Sequence, residues 1–331
     1  MPLFVPSLQR HGHLDRSLMT IISVGSRKLD AEDDFAQGPW GMFAPNLAIY
    51  GFDADADACA VANAELATRS INWTEQHIPV ALGRAVEEVP LYVTANPMCS
   101  SLYPPNQVYL DRFAGLRDMM RPDFTIEMEV TTLDQACQDY GIEQVDFLKI
   151  DVQGADLQVL EGATQQLAQN ILAIRIEVEF SSLYVDQPLF ADVDRYLRQQ
   201  GFTLFDLQGG YGTRANLPMR STVRAGQLLW GDALYLRDLV PEEQNLSLKT
   251  PDHLLKLACI ADALEFSDYA LELLELLTVR FGQTPDYNVA DSIIASLAQY
   301  STLIPGGLNA LAVIERIRHY ASEQALELLK P

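Results

Sequence analysis

Residues 146–163 read DFLKIDVQGADLQVLEGA. Phe147, Leu148, Ile150 and Val152 form an apolar run broken only by Lys149 and Asp151. A Gln-Gly pair then leads into residues at helical spacing. The pattern predicts a buried strand that stops on Asp151 and a helix that begins near Ala155. A strand that only had to pack could end on almost any polar residue. Asp is also a favoured helix N-cap, worth about 1 kcal/mol, so capping and a chemical role both stand until the rest of that sheet edge is read.

Outward from this stretch, strands are expected at 19–24, 47–52, 78–82, 90–94, 124–132, 171–180, 202–207 and 232–239. Helices are expected at 55–70, 133–140 and 189–200, the last two stopped by Gly141 and Gly201. Strands alternating with helices imply an α/β fold with a mostly parallel sheet covered on both faces. No helix separates the last two strands, so the final one is expected to pair antiparallel. From about residue 242 the apolar residues keep helical spacing to the end. The division is therefore an N-terminal segment 1–18, expected to be mobile, a main domain 19–240, and a helical region 241–331 that packs on the main domain or on a partner copy as a homodimer.

The chain has 331 residues, 23 Lys and Arg against 45 Asp and Glu, and a formal charge of −22. That balance argues against nucleic acid or an anionic membrane as partner, because phosphate binding draws on clustered Lys and Arg. No apolar run nears the roughly 20 residues that span a bilayer, and the N-terminus lacks a signal peptide's apolar region. The expected location is the cytoplasm. The four cysteines are scattered and the histidines dispersed, so neither a disulfide framework nor a metal site is expected.

Ligands of open α/β sheets bind outside the carboxyl ends of the strands. Gly25-Ser26 follow the first strand, Asp53 the second, Leu82-Gly83 the third and Asp151 the fourth, while Glu177 and Glu179 end the fifth. An acid at the tip of the second strand can accept hydrogen bonds from both ribose hydroxyls. No G-x-G-x-x-G or G-x-x-x-x-G-K-[ST] is present, and the cations near Gly25 are only Arg27 and Lys28. A nucleoside without phosphates fits best, and S-adenosylmethionine is the common one.

The opening stretch resembles the signature of FkbM-type S-adenosylmethionine-dependent methyltransferases, usually DFLKIDVEGAE followed by a helix. YGFDADADAC (50–59) resembles that family's acidic second-strand motif, and YVTANPMCSSLYPPN (92–106) its serine-containing loop. Segments 178–207 and 224–239 are similar to its later elements, so the resemblance covers about 19–240 and leaves out the helical tail. One position departs: Ser23 stands where the family's opening turn carries an Asp that helps hold the cofactor's amino-acid end.

The resemblance implies a Rossmann-like class I methyltransferase sheet with S-adenosylmethionine as cofactor. The implied cofactor-binding residues are Gly25, Ser26, Asp53, Ala54, Leu82, Gly83, Ser101, Asp151 and Gln153. Asp151 or Glu177 would be the catalytic carboxylate, with Glu179 and Tyr184 facing the substrate. The implied acceptor is a small molecule or glycan methylated on a hydroxyl of a sugar or secondary metabolite. Methylation of a peptide or amine nitrogen, and a scaffold module that keeps the fold without the chemistry, are the alternatives.

Overall fold

The computed structural model describes residues 2–27, 35, 38–301, 304 and 306–329. Among them ten strands form two sheets. The strands are β1 (Met19–Val24), β2 (Leu47–Phe52), β3 (Thr74–Ile78), β4 (Ala81–Leu82), β5 (Glu87–Thr94), β6 (Pro122–Thr131), β7 (Phe147–Ile150), β8 (Ala173–Glu179), β9 (Phe202–Gly212) and β10 (Gln227–Arg237). The main sheet has the order β3-β2-β1-β7-β8-β10-β9. β1, β2, β3, β7 and β8 pair in parallel, while β10 runs antiparallel between β8 and β9. The fold is α/β with a mostly parallel sheet and one antiparallel strand near its edge, as expected.

The central strands are buried on both faces, which is why largely apolar runs such as MTIISV identify them: all six residues of β1 are buried, and three of the four in β7. Leu148, Ile150, Ile174 and Ile176 pack under the helices Leu133–Asp139, Asp156–Glu161, Thr164–Gln169 and Phe190–Gln199 on one face. Met19, Ile21, Leu47, Ile49 and Phe147 belong to a second cluster on the other face. That cluster also holds Leu254, Leu257, Leu273, Leu277 and Ile293 from the helices Pro251–Ala263, Ser267–Phe281 and Ala290–Ala298. The C-terminal helices thus form a layer of the fold, and their apolar faces are spent on this chain's own sheet.

Three expectations are corrected. The N-terminal segment is not a mobile arm: Val5–Arg10 is a helix, and Phe4, Val5 and Leu8 are buried against the C-terminal layer. The carboxylate of Asp262 accepts the N–H groups of Leu3, Phe4 and Val5 at 2.9, 2.7 and 2.9 Å, satisfying donors that the short helix leaves open. The third strand lies at 74–78, not 78–82. Its sequence, TEQHI, is polar because β3 is an edge strand, with Thr74 and Gln76 exposed. Finally, β4, β5 and β6 leave the main sheet and form a second sheet of order β4-β6-β5. β5 and β6 are antiparallel neighbours and β4 pairs in parallel with β6, so the three satisfy one another's backbone groups apart from the main sheet.

Candidate functional site

Strand order reverses between β1 and β7, and a cleft of about 660 Å³ opens at their carboxyl ends. Gly25, with φ +75°, makes the turn after β1. A Cβ on it would sit 1.9 Å from the carbonyl oxygen of Asp151, so only glycine lets the two strand ends meet. The N–H of Asp151 donates to Val24 O at 2.9 Å, and Gly25 N–H to Phe52 O at 2.9 Å. Three strand tips are tied into one floor.

Asp53, at the tip of β2, is oriented by backbone: Arg27 N–H donates to Oδ2 at 3.1 Å and Asp55 N–H to Oδ1 at 2.9 Å. Each carboxylate oxygen keeps a free lone-pair direction for a ligand hydroxyl. Burial raises the Asp53 pKa above the usual carboxylate value, partly opposed by these N–H groups. Asp55 caps the helix Ala56–Leu66, accepting from Asp57 N–H and Ala58 N–H at 3.0 Å, and pairs with Arg27.

The turn after β7 is held in an unusual conformation. Gln153 has φ +56° and Gly154 φ +88°. A non-glycine residue in the left-handed region carries strain that its surroundings must impose. The Gln153 amide shows why: Nε2 donates to Asp151 Oδ1 and to Glu177 Oε2, each at 2.8 Å. Tyr184 Oη lies 3.0 Å from Gln153 Oε1 and 2.9 Å from Cys99 O, two acceptors for its one proton. Ser101 Oγ donates to Gln153 O at 2.6 Å. Asp156, buried at the start of its helix, accepts Val152 N–H at 3.1 Å and Gly154 N–H at 2.9 Å.

These interactions bring the carboxyls of Asp151, Asp156, Glu177 and Glu179 close together in a poorly solvated region. Burial pushes the Asp156 pKa up to about 7, and the charge of Asp151 adds to the rise. Glu177 and Glu179 are raised too, first by burial and then by neighbouring carboxyls. The sign follows directly. A carboxyl whose pKa is higher folded than unfolded stabilises the fold while it holds its proton, and that contribution is lost as pH rises toward the folded value. The denaturant midpoint is therefore expected to fall between pH 5 and 8, and Asp156→Asn, which cannot titrate, should flatten the slope. Equal slopes in urea titrations of the two proteins would contradict the assignment.

Of the residues singled out from the sequence, Gly25, Asp53, Ala54, Leu82, Ser101, Asp151 and Gln153 line the cleft. The others sit behind it. Ser26 is buried, with Oγ 3.0 Å from His77 Nδ1. Gly83 turns away, its N–H donating to Thr131 O at 2.8 Å and its carbonyl packed on Gly162. Glu177 meets the cleft only through the Gln153 amide. Glu179 and Tyr184, expected to face a substrate, are 4% and 1% exposed, and Tyr184 packs in a cluster with Leu110, Phe113 and Leu229. Lys28 lies outside the described residues. Arg27, Asp55, Asp57, Asp123 and the β5–β6 face line the cleft without having been singled out for it. Asp156 was missed as well, though an acid two residues past a Gln-Gly turn was the visible signal. Neither acid caps the helix Asp156–Glu161, whose N-cap is Ala155 with no side-chain cap; Asp156 ties down the turn before it instead. Among the described residues no group of three His, Cys, Asp or Glu side chains is placed to hold a metal ion, and no helix is long and apolar enough to cross a membrane.

The family model for the methyltransferase FkbM domain matches residues 45–204, from β2 to the start of β9. No curated protein matches the chain. Among solved structures, magnesium protoporphyrin IX methyltransferase from Synechocystis with bound SAM is 10% identical, with TM-score 0.33, over 71% of this chain and 76% of that one. TrmK of M. capricolum in complex with S-adenosyl-homocysteine is 8% identical, with TM-score 0.34, over 97% and 98%. Superpositions this loose carry no conclusion about substrate.

Proposed function

Through residues 45–204 the chain belongs to the FkbM methyltransferases, which are S-adenosylmethionine-dependent enzymes, and from that premise we propose that it methylates a hydroxyl group of a small molecule, a sugar or secondary metabolite. The observation that carries this reading is the Asp151 carboxylate on the cleft wall, fixed by Gln153 beside the Gly25 turn.

The donor supplies a methyl group on a cationic sulfonium. The chain's residues fit such a molecule. Asp53 has acceptor capacity directed at a ribose, and the Gly25 turn lets a ligand lie against backbone. Asp53, Asp55 and Asp151, with Asp57 and Asp123 at the exposed rim, outnumber Arg27 along the cleft and give it a negative potential that favours a cation.

Asp151 holds the acceptor hydroxyl in line and takes its proton as the new bond forms. Gln153 and Tyr184 act as positioning residues: they fix the Asp151 carboxylate without touching the acceptor. With tritiated S-adenosylmethionine and matched panels of hydroxyl and amine acceptors, label is expected in the hydroxyl panel. Asp151→Asn should lower kcat about 100- to 10,000-fold with little change in KM. Labelled amines, or an unchanged kcat in Asp151→Asn, would overturn the assignment.

A further inference from the structure

The two walls of the cleft are unlike. Asp53, Asp55, Asp57 and Asp151 stand on one side, and the opposite wall is a face of the second sheet. β6 alternates, placing Phe124, Ile126 and Met128 on that face and Thr125, Glu127 and Glu129 on the other. Val93 pairs with Phe124 and Leu91 with Ile126, so the apolar side chains are cross-strand neighbours. Phe124 is 54% exposed, Ile126 43%, and Met98 on the adjoining turn 39%. A continuous exposed apolar surface inside a cleft marks a binding site.

A donor held on Asp53 does not cover all of it. The chain runs from Asp53's neighbour Ile78 directly into Val80–Leu82, and β4 meets β6 at Ala81 and Val130. That is the nucleoside end. Phe124 lies six residues farther along β6, roughly 20 Å at the rise of a strand. The far end adjoins the reacting groups: Tyr92 of β5 bridges to Ser101, whose hydroxyl holds the Gln153 carbonyl.

We infer that the acceptor is amphipathic, with a hydroxyl presented to Asp151 on an aliphatic or ring-shaped apolar body laid along Phe124, Ile126 and Val93. A bare sugar would leave this wall wet. The part of the inference that concerns Asp151 rests on the methyltransferase reading. The apolar site itself does not.

The test is a calorimetric titration of methyl, hexyl and octyl β-glucosides, which share a head group and differ in apolar length. Each is run with and without S-adenosylhomocysteine, on wild type and on Phe124→Ser/Ile126→Ser. Both positions are solvent-exposed, so the variant keeps its fold. Affinity is expected to rise about two- to fourfold per methylene from hexyl to octyl. The variant should lose about tenfold for the octyl glucoside and nothing for S-adenosylhomocysteine. Affinity independent of chain length, or a variant that binds like wild type, overturns the inference even if S-adenosylhomocysteine binds. Length dependence without S-adenosylhomocysteine binding keeps the apolar site and removes the methyltransferase reading. A dimer in sedimentation that the variant abolishes, with no length dependence, assigns the face to a second copy and overturns the inference as well.

Discussion

Replacing Lys256 with methionine is expected to cost about 3–5 kcal/mol of stability, because it strands a buried carboxylate. Asp146 is fully buried at the entrance to β7. Lys256 Nζ lies 3.1 and 3.2 Å from its two oxygens, Thr20 N–H donates at 2.8 Å and Gln144 Nε2 at 3.0 Å. The ion pair joins the helix Pro251–Ala263 to the centre of the sheet, so the C-terminal layer should loosen with it. Burial already pushes the Asp146 pKa up to about 6 in spite of Lys256. The penalty should therefore be largest at pH 8 and shrink near pH 5, where the carboxyl takes a proton. Asp146→Asn added to Lys256→Met should recover most of the loss, since no charge is left unpaired. Urea denaturation at the two pH values checks this. A cost under about 1 kcal/mol at pH 8 would mean that the pair does not anchor the layer.

Gly25→Ala is the second large effect. Its new Cβ would need to occupy space 1.9 Å from the Asp151 carbonyl, at a φ of +75° that L residues seldom adopt. Either the β1 or the β7 end must shift, and both carry the cleft floor. A stability loss above about 3 kcal/mol is expected, with donor binding weakened about 100-fold, close to 3 kcal/mol of affinity. Gly115→Ala is the control: its φ is +81° but nothing lies within 4 Å, so only the backbone cost of about 1 kcal/mol applies. Equal denaturation midpoints for the two variants would show that the contact between Gly25 and Asp151 does not constrain the fold.

The elements legible in the sequence are those whose burial leaves a one-dimensional mark. β1, β2, β7 and β8 lie in the sheet's interior and read as apolar runs, and the residues just after β1, β2 and β7 fall at the cleft because the switch point lies between β1 and β7. β3 was displaced by four residues because an edge strand can be polar. The partition of 81–131 into a separate sheet depends on pairing between β5 and β6, which alternation alone does not specify. The N-terminal helix has six residues, too few for periodicity to register, and its cap is a carboxylate about 260 residues away. Glu179 and Tyr184 looked available because an acid at a strand tip and a loop tyrosine usually are; here both are buried, Tyr184 against Leu110, Phe113 and Leu229, which are distant in sequence. The bonds that Asp156 makes leave no periodic mark in the sequence, because both of its backbone donors lie in the irregular turn before the helix.

The central claim is that the cleft between the ends of β1, β2 and β7 holds the nucleoside of a methyl donor on Asp53. Calorimetric titration of S-adenosylhomocysteine into wild type and Asp53→Ala addresses it without knowledge of the acceptor. The account predicts one site per chain, weakened about 10- to 100-fold by the substitution, the loss of one or two hydrogen bonds to a charged group. No binding to folded wild type at millimolar ligand, or equal affinity in Asp53→Ala, would contradict it.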